Sequence, residues 1–166
     1  MSNLDQSFWT GREVHVTDPT AMLQIGAICL RDSKTGPEVL LVKSSRGRWI
    51  VPKGWPMDGH TDAEAAKIEA WEEGGVRKGD VSKTPVGGYM TEKRFDDGRR
   101  VPCYVSVYRI DVTKMTDTYP EAGQRKRKWL PLKKAKKKVD DSGLRALLKA
   151  FDVNPAGLRL PAGYIL

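Results

Sequence analysis

The chain has 166 residues, 29 Lys and Arg against 21 Asp and Glu, a formal net charge of +8 and 39% hydrophobic residues, a profile that predicts one globular domain with a sizeable core. No stretch approaches the roughly 18 consecutive apolar residues of a membrane span. The polar opening Met1-Ser2-Asn3-Leu4-Asp5-Gln6 lacks the basic and apolar regions of a signal peptide, so a cytoplasmic protein with no membrane partner is expected. The positive balance favours phosphate-rich partners, nucleic acid or small polyphosphate, without choosing between them.

Residues 1–20 read as a polar arm carrying Gly11, Asp18 and Pro19, with one short candidate strand at Glu13-Val14-His15-Val16. The folded body is placed at 21–152. Leu23 to Leu30 is a nearly continuous apolar run, and Val39-Leu40-Leu41-Val42 follows the turn-rich Asp32 to Pro37, which predicts two buried strands. Trp49-Ile50-Val51 is a third, stopped by Pro52 and Gly54. At Thr61-Asp62-Ala63-Glu64 the hydroxyl and the carboxylate can each satisfy the other's exposed backbone N–H, the signature of a helix start, and Gly74-Gly75 supply a left-handed stop. Val86 to Thr91 and Val101 to Ile110 read as antiparallel strands joined through Phe95 and an Asp96-Asp97-Gly98 turn. Lys126 to Leu130 is a further strand and Leu132 to Val139 a short lysine-rich helix. Ser142 to Phe151 is a helix with Leu144, Leu147, Leu148 and Phe151 on one face. Residues 153–166 form a tail rich in Pro and Gly. Cys29 and Cys103 lie in apolar runs without metal-ligand spacing and are expected as buried free thiols.

The segment that stands apart from fold-building runs from Gly54 through Gly59-His60 into the helix bearing Glu69, Glu72 and Glu73. Their i, i+3, i+4 spacing puts three carboxylates on one helix face, where like charges repel. A hard divalent cation relieves that repulsion, and Mg²⁺ commonly bridges carboxylates to substrate phosphates while keeping several waters. Gly54 lets the backbone approach such a metal and present a carbonyl. Taken alone, three Glu on a helix have as their usual meaning a solvated acidic face.

The complete spacing, Gly54-x5-His60-x7-Ile68-Glu69-Ala70-x-Glu72-Glu73-x-Gly75-Val76, resembles the box of the Nudix hydrolase family, G-x5-E-x7-R-E-U-x-E-E-x-G-U with U aliphatic. Seven of nine fixed positions agree when Ala70 counts as aliphatic. The resemblance implies an α/β fold of Nudix type, an α/β/α sandwich with a mixed sheet between helices. It also implies metal ligation by Gly54, Glu69, Glu72 and Glu73, with Mg²⁺ as the cofactor and Mn²⁺ as an alternative. His60 and Ile68 replace a Glu and an Arg that pair with each other in the family. Losing both is more tolerable than losing one, because a lone partner leaves an uncompensated charge. Ile68 is free to pack, and His60 reads as a neutral packing or hydrogen-bonding residue rather than a metal ligand, since Mg²⁺ prefers oxygen.

Ser44-Ser45-Arg46, Pro52-Lys53-Gly54 and Gln124-Arg125-Lys126-Arg127-Lys128-Trp129 are similar to segments of the diphosphoinositol polyphosphate and diadenosine polyphosphate phosphohydrolases. That similarity implies substrate binding by Arg46, Arg48, Lys53, Arg125 and Arg127. A many-phosphate substrate needs several cations and donors around it. Along residues 125–129 side chains alternate, so Arg125 and Arg127 share one face and Lys126 and Lys128 the other. The ordinary alternative is a solvated basic edge strand. Glu121 is at a place where such enzymes carry a loop acid, which implies a general base or an extra metal ligand and makes Glu69 and Glu121 the alternatives for general base.

The resulting expectation is hydrolysis of a diphosphate bond in a small polyphosphate by water, with catalytic roles for Glu69, Glu72, Glu73 and Glu121. Two rivals stand beside it. One is a catalytically weak domain that binds a nucleotide, RNA or protein, motivated by His60 and Ile68. The other is an enzyme acting on RNA 5′ ends, motivated by the charge and by Lys133 to Lys138.

Overall fold

A computed structural model describes residues 20–154. The candidate strand at 13–16 and nearly all of the tail lie outside the described residues. The elements are β1 (Met22–Ser33), β2 (Gly36–Lys43), β3 (Trp49–Ile50), β4 (Lys53–Gly54), α1 (Asp62–Gly74), β5 (Val76–Val81), β6 (Gly87–Arg94), β7 (Arg100–Met115), β8 (Arg127–Pro131), α2 (Leu132–Lys138) and α3 (Ser142–Val153).

They form an eight-stranded mixed sheet with helices on both faces, the expected sandwich. β1 and β7 run parallel from Met22 opposite Cys103 to Leu30 opposite Asp111, while the other pairings are antiparallel. Burial on both faces explains why these central strands read as unbroken apolar runs. On one face Ile28, Val39, Leu41, Val105 and Val107 pack with Leu144, Leu148 and Phe151 of α3. On the other, Ile25, Ala27, Leu40 and Ile110 pack with Ala65, Ala66 and Ala70 of α1. Those alanines bring α1 close to the sheet, and a Cβ on Gly74 would stand 2.7 Å from a Leu40 methyl.

The predicted capping box at Thr61 and Glu64 is formed, and Gly75 stops α1 with φ 73°. Gly74 does not share that stop, being the last helical residue. The β6–β7 hairpin has its expected turn, with Gly87 opposite Val107 and Arg94 opposite Arg100. β5 was not predicted. Its Val-Arg-Lys-Gly-Asp-Val sequence has no apolar alternation, and it is a strand because the edge of the long β7 accepts it.

The expected strand at Trp49–Val51 divides into β3 and β4. β1 and β2 pair over Leu30–Ser33 and Gly36–Val39, then part. The segment from Trp49 to Gly54 occupies the fork: β3 pairs with Val42 and Lys43 of β2, β4 with Ile25 and Gly26 of β1. Ala27 N–H donates to Pro52 O at 2.9 Å. Lys53 and Gly54 are thereby fixed in extended backbone beneath α1. Both cysteines are free and buried, as expected.

Candidate functional site

In the fork, the bare Cα of Gly54 faces α1. A Cβ there would lie 2.1 Å from Oε2 of Glu69 and 2.4 Å from its Cδ, so the Glu69 carboxylate fills the space where any other residue would place a side chain. One turn later, Glu73 Oε1 accepts from Lys53 N–H at 3.3 Å. Glu69 and Glu73 are 8% and 6% exposed, in a region where charged groups are otherwise rare. Burial pushes both carboxyls up, Glu73 to about 8, and the neighbouring Glu121 adds repulsion. The Arg125 guanidinium works in the opposite direction on both, a hydrogen bond with Glu73 lowers Glu69, and the Glu69 charge raises Glu73 further. Burying like charges side by side raises proton affinity, and the same arrangement attracts a cation.

Glu72 is half-buried, and its carbonyl accepts from Glu121 N–H at 3.0 Å, which docks the loop after β7 against the end of α1. Glu121 Oε1 accepts from Arg125 Nε at 2.6 Å, and Arg125 Nη1 donates to Lys43 O at 3.0 Å. The four glutamates singled out in sequence are thus gathered around Gly54 and the C-terminal half of α1, with Arg125 as their counter-charge.

Among the described residues no three His, Cys, Asp or Glu side chains close into a ready-made metal cage. The donor set still fits a hard divalent ion: a group of carboxylates, two of them buried with raised proton affinity, packed against a glycine whose missing side chain leaves them room. Mg²⁺ prefers such a partial oxygen set, completed by water and substrate phosphate.

Beyond Lys53 lies a cleft of about 300 Å³ lined by Arg46, Arg48, Lys53, Lys93 and Arg94, by Trp49, and by the carboxylates of Glu92 and Asp141. Lys53 Nζ donates to the buried Gln24 Oε1 at 2.9 Å, and burial together with nearby Lys93 lowers the ammonium pKa. Arg46 reaches across to Arg94 O at 3.3 Å. Gln24, Lys93 and Arg94 escaped the sequence reading, because the β1–β4 pairing sets Gln24 near Lys53 and only the β1–β7 and β6–β7 pairings carry Lys93 and Arg94 to the same cleft.

Arg127 is placed elsewhere. It faces the same way as Arg125, as alternation predicts, but Nη1 donates to Gly74 O and Thr116 O, both at 2.8 Å, and Nη2 to Asp117 Oδ1 at 2.6 Å. Its donors go to the helix end and the loop, and it is not among the residues that line the cleft. Lys128, on the opposite face, lies 5.7 Å from the Trp49 ring centre. His60 is exposed, its Nδ1 3.6 Å from Glu64 Oε1, and Ile68 is half-buried.

The family described as NUDIX domain matches residues 22–151, and the chain belongs to that family. Among curated relatives, Nudix hydrolase 12, mitochondrial, of Arabidopsis thaliana is 35% identical over 102 residues, 59% of this chain and 50% of that protein. Nudix hydrolase 13, mitochondrial, from the same plant is 28% identical over 169 residues, 91% and 82% of the two chains. The chain therefore spans only about half of the first of these relatives. Among solved structures, a C. elegans Ap4A hydrolase binary complex superposes with a TM-score of 0.58 at 21% identity, over 82% of this chain and 99% of that one. The NUDIX domain of Shewanella oneidensis NrtR, complexed with ADP ribose, gives 0.51 at 16% identity, over 82% and 90%. At these identities the structural likeness is one of fold. Among the described residues no helix is long and apolar enough to cross a membrane.

Proposed function

We propose that the protein is a Mg²⁺-dependent pyrophosphohydrolase, with Mn²⁺ as an alternative metal, that cleaves a phosphoanhydride bond in a small polyphosphate. The carrying observation is the buried Glu69–Glu73 pair pressed against Gly54, joined through the Lys53 N–H to a cleft with five cations in its lining. Glu69, Glu72, Glu73 and the Gly54 carbonyl would hold the metal. When bound, the ion supplies charge to bridging phosphate oxygens and lowers the pKa of an attacking water. Between the two candidates for general base, Glu121 is the one accessible to water: its side chain is 24% exposed, and Arg125 orients it. It would take the proton as the water oxygen bonds to phosphorus and the bridging P–O bond breaks.

Arg46, Arg48 and Lys53, joined by Lys93 and Arg94, would neutralise the substrate and the charge growing on the leaving phosphate. Five cations against two carboxylates, with a single aromatic, Trp49, support a compact, densely phosphorylated substrate of the diphosphoinositol polyphosphate kind over one with two nucleobases to stack. The test is product release from diphosphoinositol polyphosphates, diadenosine polyphosphates and 5′-triphosphate RNA, each with Mg²⁺ and with chelator. Chelator-sensitive turnover of the first class supports the whole reading, and turnover of RNA alone refutes the small-molecule assignment. Absence of turnover with folded protein refutes the enzyme.

A further inference from the structure

Helix α1 has no basic residue in its last turn, although its final carbonyls carry the negative end of the helix dipole and need donors. The donor comes from β8, more than fifty residues later. Arg127 Nη1 bridges Gly74 O and Thr116 O, Nη2 reaches Asp117, and the guanidinium carbon lies 4.8 Å from the Tyr119 ring centre. Two backbone bonds join the same elements: Thr116 N–H to Gly75 O at 2.9 Å and Glu121 N–H to Glu72 O at 3.0 Å. Asp117 is almost fully exposed, so its ion pair contributes little. The two carbonyls and the ring are what hold the guanidinium.

We infer that Arg127 is a positioning residue, a clamp that ties the end of α1 to the loop of residues 116–125 and thereby sets Glu121 against the Glu69–Glu73 pair. Gly75 then has a second duty besides its left-handed turn. A Cβ at Gly75 would stand 2.3 Å from Arg127 Nη1, 2.6 Å from Thr116 O and 2.7 Å from the Tyr119 ring, so the glycine is the slot in which the clamp closes. Lysine cannot replace it, because a single ammonium on a flexible stem lacks the planar fork that spans two carbonyls.

The catalytic half of this inference rests on the role proposed for Glu121; the clamp itself does not. The experiment compares wild type with Arg127→Ala and Arg127→Lys, reading kcat and KM on the substrate the wild type turns over, and amide hydrogen exchange across residues 116–125. A clamp predicts kcat lower by about tenfold or more with KM within about twofold, the pattern of lost positioning rather than lost binding. It also predicts faster exchange at Thr116 and Glu121 while the amides of Ala65 to Ala70 stay protected. Arg127→Lys keeps the charge and is expected to share both defects in milder form; it carries the test if the alanine variant does not fold. A raised KM at unchanged kcat would return Arg127 to substrate binding, and unchanged exchange would refute the clamp. If the wild type turns over no substrate, the functional proposal fails while the exchange data still decide the clamp.

Discussion

Gly54→Ala separates folding from chemistry in a single methyl group. Gly54 is not among the residues with positive φ, so its backbone accepts alanine without strain. The obstacle is the Glu69 carboxylate, which must retreat from 2.1 Å to the 3.4 Å of ordinary contact, a displacement of about 1.3 Å. Because that carboxylate is the end of a flexible side chain, the fold has a soft way out. The glycine-to-alanine change also stabilises by roughly 0.4–1 kcal/mol through the unfolded chain. The net stability change is therefore about 1 kcal/mol or less, and Tm should move by no more than about 4 °C. Activity has no such escape. A misplacement of about 1 Å in a reacting constellation costs on the order of 10²-fold, or about 2.7 kcal/mol of transition-state stabilisation. The assay pairs calorimetry with turnover under saturating Mg²⁺. It includes Glu69→Ala and the double variant, which should be no worse than Glu69→Ala alone, because the methyl then has nothing to displace. Turnover within about threefold of wild type would refute the placement of Glu69 as a ligand. A Tm collapse beyond about 10 °C would show that the methyl strikes rigid structure.

Burial pushes the Glu73 carboxyl up to about 8 from an ordinary 4.5. A carboxyl with a raised native pKa gives stability that is complete below about pH 4.5 and lost as pH rises through about 8, so urea midpoints should fall across that window and fall less in Glu73→Gln. The same variant, and Glu72→Gln, should lose most metal-dependent turnover with the fold intact by circular dichroism; an unchanged rate would remove them from the metal site. Both thiols are buried, and burial pushes the Cys29 thiol well up, so a disulfide reagent should label neither cysteine in native protein and two per chain in denaturant. Restoring both family residues in His60→Glu/Ile68→Arg should keep turnover at or above wild type, since His60 is exposed beside Glu64 and Ile68 lies half-buried. A dead double variant would refute the compensated-pair argument.

Local signals carried the site's nucleus. The spacing of Gly54, Glu69, Glu72 and Glu73, the Thr61 box and the Gly75 stop are all written within one helix and its entry, where backbone geometry ties sequence distance to spatial distance. The same holds for the buried strands, whose apolar runs record helices on both faces, and for the β6–β7 hairpin, whose turn residues set its register. Residues whose partners are far along the chain had contacts that no local signal shows. Arg127 matched a substrate-binding segment by its neighbours in sequence, yet its donors are taken by carbonyls at positions 74 and 116. Lys93 and Arg94 join the cleft, and Gln24 meets Lys53, only through strand pairings, and β5 is a strand only because β7 has an edge to offer. Sequence by itself determined the family, the carboxylate set and the helix that presents it, because a helix converts i, i+3, i+4 spacing into a shared face with no help from the rest of the molecule. The tertiary structure alone decided which cations line the cleft and which arginine braces the helix, because a long side chain goes wherever folding leaves an unpaired carbonyl or carboxylate within its reach.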